Sequence, residues 1–182
     1  MKSKNVKPGV IWITGLSGSG KSTLAKLFFF FLKKKFHNVI WLDGDSLRKK
    51  LKLNHKKNTF SKKFRVGLGK KYSDIANKYQ EKGFFVIISV MALYREVFEY
   101  NRKKIKNYHE IFLNVPMVEL KKRDPKKIYE RFKLGKIFNV AGLDLKYEKP
   151  KNPSLILNWR KNTTKRKMLK SLQIYFQSNC IE

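Results

Sequence analysis

A chain of 182 residues with 42% hydrophobic and 14% aromatic content is long enough for a substantial core and excludes a disordered polymer. The formal charge is +30, but only eight of the 43 basic residues are arginine and the lysines are spread along the whole chain. Such a pattern reads as lysine-rich solvated faces, with no nucleic-acid or membrane partner expected, although the field helps draw in anionic nucleotides.

In chain order, Val10–Thr14 is a short β-branched run ending at a glycine, which predicts a buried strand. A helix should follow over Lys21–Lys35, with the four phenylalanines from Phe28 to Phe31 in its buried part. That apolar stretch is too short to cross a bilayer. Val39–Leu42 predicts a second strand, and residues Lys49–Lys63, polar and lysine-rich, a mobile loop. A helix over Val66–Glu81 leads to a third strand at Phe84–Ser89, and a helix over Tyr94–Lys106 to a fourth at Glu110–Asn114. Leu120–Leu134 reads as helix interrupted at Asp124-Pro125, Ser154–Leu157 as the last strand, and 160–177 as a basic C-terminal helix. The opening Met1-Lys2-Ser3-Lys4 runs into an apolar segment too short for a signal peptide, and the lone Cys180 gives no disulfide framework. A cytoplasmic location is the expectation.

Gly15-Leu16-Ser17-Gly18-Ser19-Gly20-Lys21-Ser22 lies between the first strand and its helix, the context that makes Gly-x-x-x-x-Gly-Lys-Ser a phosphate-binding loop. The glycines let backbone N–H groups turn toward phosphate oxygens, aided by the helix N-terminus. Gly15, Ser17, Gly18, Ser19, Gly20, Lys21, Ser22 and Thr23 are the candidate ATP contacts, with Lys21 reaching the β- and γ-phosphates and Ser22 offering a hydroxyl to Mg²⁺. The strand–helix alternation around this loop predicts an α/β chain: a P-loop NTPase-type three-layer sandwich on a mainly parallel five-stranded sheet, one domain over 1–182. The loop alone does not separate a kinase from a GTPase or a motor. Asp43 and Asp45, at the end of what reads as the neighbouring strand, favour a kinase: one carboxylate can support Mg²⁺ and the other can take a proton from an acceptor hydroxyl. Asp43 is assigned to the metal with Ser22, and Asp45 to the base.

The run Gly-Leu-Ser-Gly-Ser-Gly-Lys-Ser-Thr, followed by Leu42-Asp43-Gly44-Asp45-Ser46-Leu47-Arg48, resembles the adenylylsulfate kinase family. The resemblance continues through Phe60-Ser61, Arg65, Ser89–Arg95 and Arg123–Tyr129, and then Gly135, Gly142, Asp144, Tyr147-Glu148 and Asn152-Pro153. It covers residues 10 to about 158 in family order, with about three extra residues between Arg48 and Phe60. It implies ATP-dependent phosphorylation of a nucleotide ribose 3′-hydroxyl. Arg48 and Arg65 would hold the acceptor's anionic group, Phe60 would stack on its base, and Arg123, the remaining candidate ATP contact, would open a mobile lid over ATP running to about Tyr147. A homodimer is expected on the same resemblance.

The departures fall on the acceptor side. Leu68 stands where the family has an asparagine, and Val140 where it has the phenylalanine that closes the other face of the acceptor adenine. Ala92 replaces a frequent serine and Leu93 the following proline, so no phosphoserine can form at that position. Losing one side of an aromatic sandwich weakens purine stacking, worth about 1–3 kcal/mol per base. A smaller pyrimidine suits the change. The expected acceptor is therefore cytidine diphosphoramidate, the substrate of a branch resembling this family that serves capsule phosphoramidate synthesis. Adenylylsulfate is the alternative, and a nucleic-acid-binding P-loop protein the remoter one.

Overall fold

The computed structural model describes residues 5–53 and 61–181. Along the chain these form β1 (Gly9–Thr14), α1 (Lys21–Lys33), β2 (Val39–Asp43), α2 (Gly44–Lys50), α3 (Lys62–Glu81), β3 (Phe85–Ser89) and α4 (Arg95–Lys104). There follow β4 (Tyr108–Asn114), α5 (Met117–Arg123), α6 (Ile128–Lys133), β5 (Leu155–Asn158) and α7 (Lys165–Asn179). The five strands pair in the order β2-β3-β1-β4-β5, every pair parallel.

Every residue of β1 is buried because the sheet is covered on both faces, which is why its sequence is apolar without alternation. Successive side chains still point to opposite sides. Ile11 and Ile13 pack with Phe28 and Leu32 of α1 and Leu172 and Phe176 of α7. Val10 and Trp12 pack with Tyr72 and Ala76 of α3 and Val97 of α4. Phe176 receives Phe28 and Phe85 edge-on at centroid distances of 5.5 and 5.3 Å, anchoring α7 to the sheet. The phenylalanine run is not wholly buried: Phe28 is inaccessible, but Phe30 is 53% exposed. Four consecutive residues sweep most of a helix circumference, so they cannot all face the sheet.

Two expectations need correction. β2 is not the neighbour of β1, because β3 lies between them and brings Ser89 beside Asp43. The stretch after Asp43, given no element from sequence before Lys49, is helical: the Asp43 carboxylate caps α2 by accepting the Asp45 N–H. With Leu47 its only buried residue, α2 is too short to show a periodicity. The segment read as a loop over 49–63 therefore begins inside α2 and ends inside α3, which starts at Lys62 where the Ser61 hydroxyl accepts the Phe64 N–H. Residues 54–60, with Phe60 among them, lie outside the described residues.

A third apolar cluster sits over the C-terminal edge of the sheet, joining Leu16, Leu93 and Phe112 to Leu120, Tyr129 and Val140. It carries the segment containing α5 and α6. Beneath the sheet's other end, Arg102 donates to the buried Glu110 at 2.5 Å, and Tyr108 donates to the same carboxylate at 3.0 Å, tying α4 to β4.

The packing of α3 on α4 depends on Gly69. A Cβ there would lie 2.8 Å from Cγ2 of the buried Val97, whereas one at Gly67, on the exposed face, meets nothing within 4 Å. Gly67→Ala should therefore raise stability by about 0.5–1 kcal/mol through helix propensity. Gly69→Ala should lose that gain to an overpacking cost of about 1–3 kcal/mol, recovered in Gly69→Ala/Val97→Ala. Urea unfolding of the variants measures the difference.

Candidate active site

The loop after β1 curls because Gly18 and Gly20 take φ of 76° and 94°, a left-handed region open to glycine. Gly20 caps α1 with no side-chain bond, so the first-turn N–H groups of a helix N-terminus border a cavity of about 780 Å³. Ser17 through Thr23 line that cavity. Gly15 does not; it stands behind the loop, where a Cβ would lie 2.8 Å from Ser19 Oγ and 2.9 Å from the Leu113 carbonyl. The Lys21 ammonium reaches back to the Leu16 carbonyl at 2.8 Å. Desolvation, followed by repulsion from Lys126, lowers its pKa to about 8, against the opposing pull of Asp45 and Asp43.

Asp43, at the end of β2, joins the start of α1 to the end of β3. Its Oδ1 accepts from Ser22 Oγ at 2.6 Å and from Ser89 Oγ at 2.9 Å, while Oδ2 accepts the Asp45 N–H at 3.2 Å. Ser89, itself buried, accepts from Trp41 Nε1 at 3.1 Å, which fixes the direction of its hydroxyl. Asp45 lies in the first turn of α2 and pairs with Lys126, from the link between α5 and α6. Burial pushes the Asp45 carboxyl up, but the Lys126 ammonium, Arg48 and Lys21 together hold it below the usual carboxylate range.

Arg48, Arg65, Leu68 and Val140 line the same cavity as Lys21, Ser22, Asp43 and Asp45. Arg65 is buried and donates to the Asn139 carbonyl at 2.9 Å. The Asp144 carboxylate accepts the Asn139 and Val140 N–H groups, both at 2.6 Å, so Val140 is held in place by its own backbone. Leu68 and Val140 are almost completely buried at 5% and 3% exposure, and both present only carbon to the cavity. Arg48 Nε is buried without a hydrogen-bond partner among the described residues.

Arg123 lies at the opposite end, bound to Glu119 at 2.7 Å and with its guanidinium carbon 5.7 Å from the Trp159 ring centre. Tyr129 donates to the Ser17 carbonyl at 2.9 Å and fastens α6 to the phosphate-binding loop. Lys126, Ser89, Tyr129 and Trp159 border the site; the first three lie in stretches that carried the resemblance, but none of the four was given a site role from sequence. Lys126 is one lysine among many, and Ser89 acts through a strand neighbour that the sequence does not specify. Trp159 follows directly on β5, and that position was its only signal.

The Asp45–Lys126 pair makes a prediction about charge. Lys126→Met should raise the pKa of both Asp45 and Lys21, since it removes an attractive cation from one and a repelling one from the other. A carboxyl carbon NMR titration reads the first; an unmoved Asp45 would show that the pair is not formed in solution.

The adenylylsulphate kinase family model matches residues 7–158. Cytidine diphosphoramidate kinase of Campylobacter jejuni is 36% identical over 161 residues, covering 88% of this chain and 92% of that protein. A probable adenylyl-sulfate kinase of Archaeoglobus fulgidus is 38% identical over 153 residues, covering 84% and 97% respectively. The structure of the Mycobacterium tuberculosis APS kinase CysC in complex with AMPPNP and APS superposes with a TM-score of 0.84 at 29% identity, over 94% of this chain and 98% of that one. With the loop, the paired aspartates and the parallel sheet assembled as described, the chain belongs to the adenylylsulfate kinase family, ATP-dependent phosphotransferases that act on a nucleotide 3′-hydroxyl.

Proposed function

We propose that the protein transfers the γ-phosphoryl group of ATP to the ribose 3′-hydroxyl of cytidine diphosphoramidate. The observation that carries this reading is Val140, clamped by Asp144 at the acceptor end of the cavity, where it offers an aliphatic wall and not an aromatic face. Leu68 adds a second wall without an amide. An acceptor base loses one stacking face there, which costs a purine more than a pyrimidine. The similarity to a cytidine diphosphoramidate kinase supports the same choice, and adenylyl-sulfate kinases of comparable identity keep adenylylsulfate as the competing substrate.

In this mechanism the loop N–H groups and Lys21 bind the donor phosphates, and Arg48 and Arg65 hold the acceptor's anionic group. The metal fits as a Mg²⁺ held by few protein oxygens: Ser22 Oγ and Asp43 Oδ1 are already 2.6 Å apart, and no cluster of three acidic, His or Cys ligands exists among the described residues. Ser22 and Asp43 would hold it, and when bound it neutralises charge on the transferring phosphoryl group. Asp45 orients the 3′-hydroxyl and takes its proton, after Lys126 releases the carboxylate. Its low pKa keeps it ionised and ready to accept a hydrogen bond. Transfer is in line with no covalent intermediate, and Ala92 removes the serine that could have carried one. The segment from Arg123 to Tyr147 acts as the lid that excludes water, which would otherwise hydrolyse the donor.

An acceptor panel of cytidine diphosphoramidate, CDP, adenylylsulfate and ADP with MgATP, read by mass spectrometry, tests the acceptor. A 3′-phosphorylated cytidine product with little adenylylsulfate turnover is the expected result; the reverse preference would return the enzyme to sulfate activation. Val140→Phe should shift the ratio of kcat/KM toward adenylylsulfate by about 5- to 150-fold without changing the KM for ATP, the equivalent of one stacking face. Asp45→Asn should lower kcat by about 10²–10⁴-fold while the unfolding transition stays in place. A near-normal rate in that variant would remove Asp45 from the chemistry.

A further inference from the structure

β3 ends on a buried hydroxyl. Residues 85–88 are apolar and inaccessible, and Ser89, at 2% exposure, is the strand's one polar side chain. A hydroxyl taken out of water needs partners, and Ser89 has two. Trp41 Nε1 donates to its oxygen at 3.1 Å, and its own proton goes to Asp43 Oδ1 at 2.9 Å. The register explains the meeting. Asp43 and Ser89 are paired residues of β2 and β3, and Trp41, two residues before Asp43, shares its face of the sheet. That face is the one α1 covers, since Phe29 of α1 lies against the indole at a centroid distance of 6.4 Å.

The direction of this hydrogen-bond chain is fixed at its far end. An indole N–H can only donate, so Ser89 cannot turn its proton toward Trp41 and gives it to the carboxylate. On the other side Ser22 Oγ donates to the same Asp43 oxygen at 2.6 Å, while Oδ2 accepts the Asp45 N–H at 3.2 Å. Donors from α1, β3 and α2 thus meet one carboxylate, and Ser89 is in turn held from behind by the indole. Ser89 borders the cavity and Trp41 does not, so what Trp41 does to a ligand passes through Ser89 and Asp43.

We propose that Trp41 and Ser89 are positioning residues for the transfer reaction: the chain from Trp41 through Ser89 holds the Asp43 carboxylate beside Ser22, so that the divalent cation meets a prearranged pair. Groups that orient a ligating carboxylate add to metal affinity because they keep it from relaxing to other rotamers while the ion is absent. This proposal rests on the reading of Ser22 and Asp43 as the residues that hold Mg²⁺ and is independent of which acceptor the enzyme uses.

Mn²⁺ titrated into the protein with ADP bound, the free ion being read by EPR, tests the proposal without turnover. Ser89→Ala should raise the Kd for Mn²⁺ by about 10- to 100-fold, and Ser89→Thr, which keeps the hydroxyl, should bring it back toward the wild-type value. Trp41→Phe keeps a ring against Phe29 and removes the N–H, and it should move the Kd in the same direction by less. ADP affinity in EDTA should stay the same in all these proteins. In turnover, the Mg²⁺ concentration for half-maximal rate should rise in the same order. An unchanged Mn²⁺ Kd in Ser89→Ala, with binding weakened in Asp43→Asn, would overturn the chain. A loss of ADP affinity in EDTA as large as the loss for Mn²⁺ would mark a structural role only and overturn it too. An Asp43→Asn variant that binds Mn²⁺ like the wild type would instead overturn the reading of Asp43 on which the chain depends. Should Ser89→Ala fail to fold, the comparison of wild type with Trp41→Phe still decides.

Discussion

The carboxylate of Asp43 joins three chain segments that are remote in sequence. One oxygen receives the hydroxyls of Ser22, from the start of α1, and Ser89, from the end of β3; the other caps α2. The parallel sheet makes this possible by ending every strand on one edge, so the loops after β1, β2 and β3 open into a common crevice. A charge-assisted bond to each hydroxyl is stronger than a neutral one and sets the rotamers of both serines. Asp43 therefore has a structural task in the free protein, before any ligand enters. The group that registers the three loops is the same group suited to a metal ion, so the geometry of the site and the order of its scaffold share one cause.

The phosphate-binding loop and the strands were legible in the sequence because each rests on local rules: glycines where the backbone turns left-handed, and apolar runs where both faces of a sheet are covered. Asp43, Asp45, Arg48, Arg65, Leu68 and Val140 were identified and do converge on one cavity. What was not legible depends on order in space. Nothing in Trp41 or Ser89 announces that they touch, since the contact exists only because β3 inserts between β1 and β2. α2 escaped notice because a seven-residue helix with a single buried residue carries no periodic signal. Trp159 escaped because its partner, Arg123, is contributed by the segment over the sheet edge.

The two ends of the cavity are built in different ways. At the β2 side the wall is backbone that is clamped in place: Asp144 holds the Val140 turn, and Arg65 holds the carbonyl before it. At the β5 side the wall is Trp159 with Arg123 beside it, next to Thr163 and Thr164, whose hydroxyl oxygens accept the Arg160 and Lys167 N–H groups. A clamped aliphatic wall selects by the size and shape of what fits.

The high positive charge makes the few acids informative. There are 13 acidic residues against 43 basic ones, so the net charge does not depend on where the few carboxylates stand. Of the five aspartates, four stand at the crevice or over it. Asp43 gathers the loops, Asp45 faces Lys126, and Asp144 clamps Val140. Asp124 accepts the Ile128 and Glu130 N–H groups at 2.8 and 2.9 Å, setting the start of α6 and with it the tyrosine that fastens this segment to the loop. Asp43, Asp124 and Asp144 perform a task that lysine cannot, because each accepts hydrogen bonds from backbone or hydroxyl donors, and Asp45 accepts from the Lys126 ammonium. A chain biased so strongly toward lysine keeps aspartate chiefly where an acceptor is indispensable, and those positions outline the site.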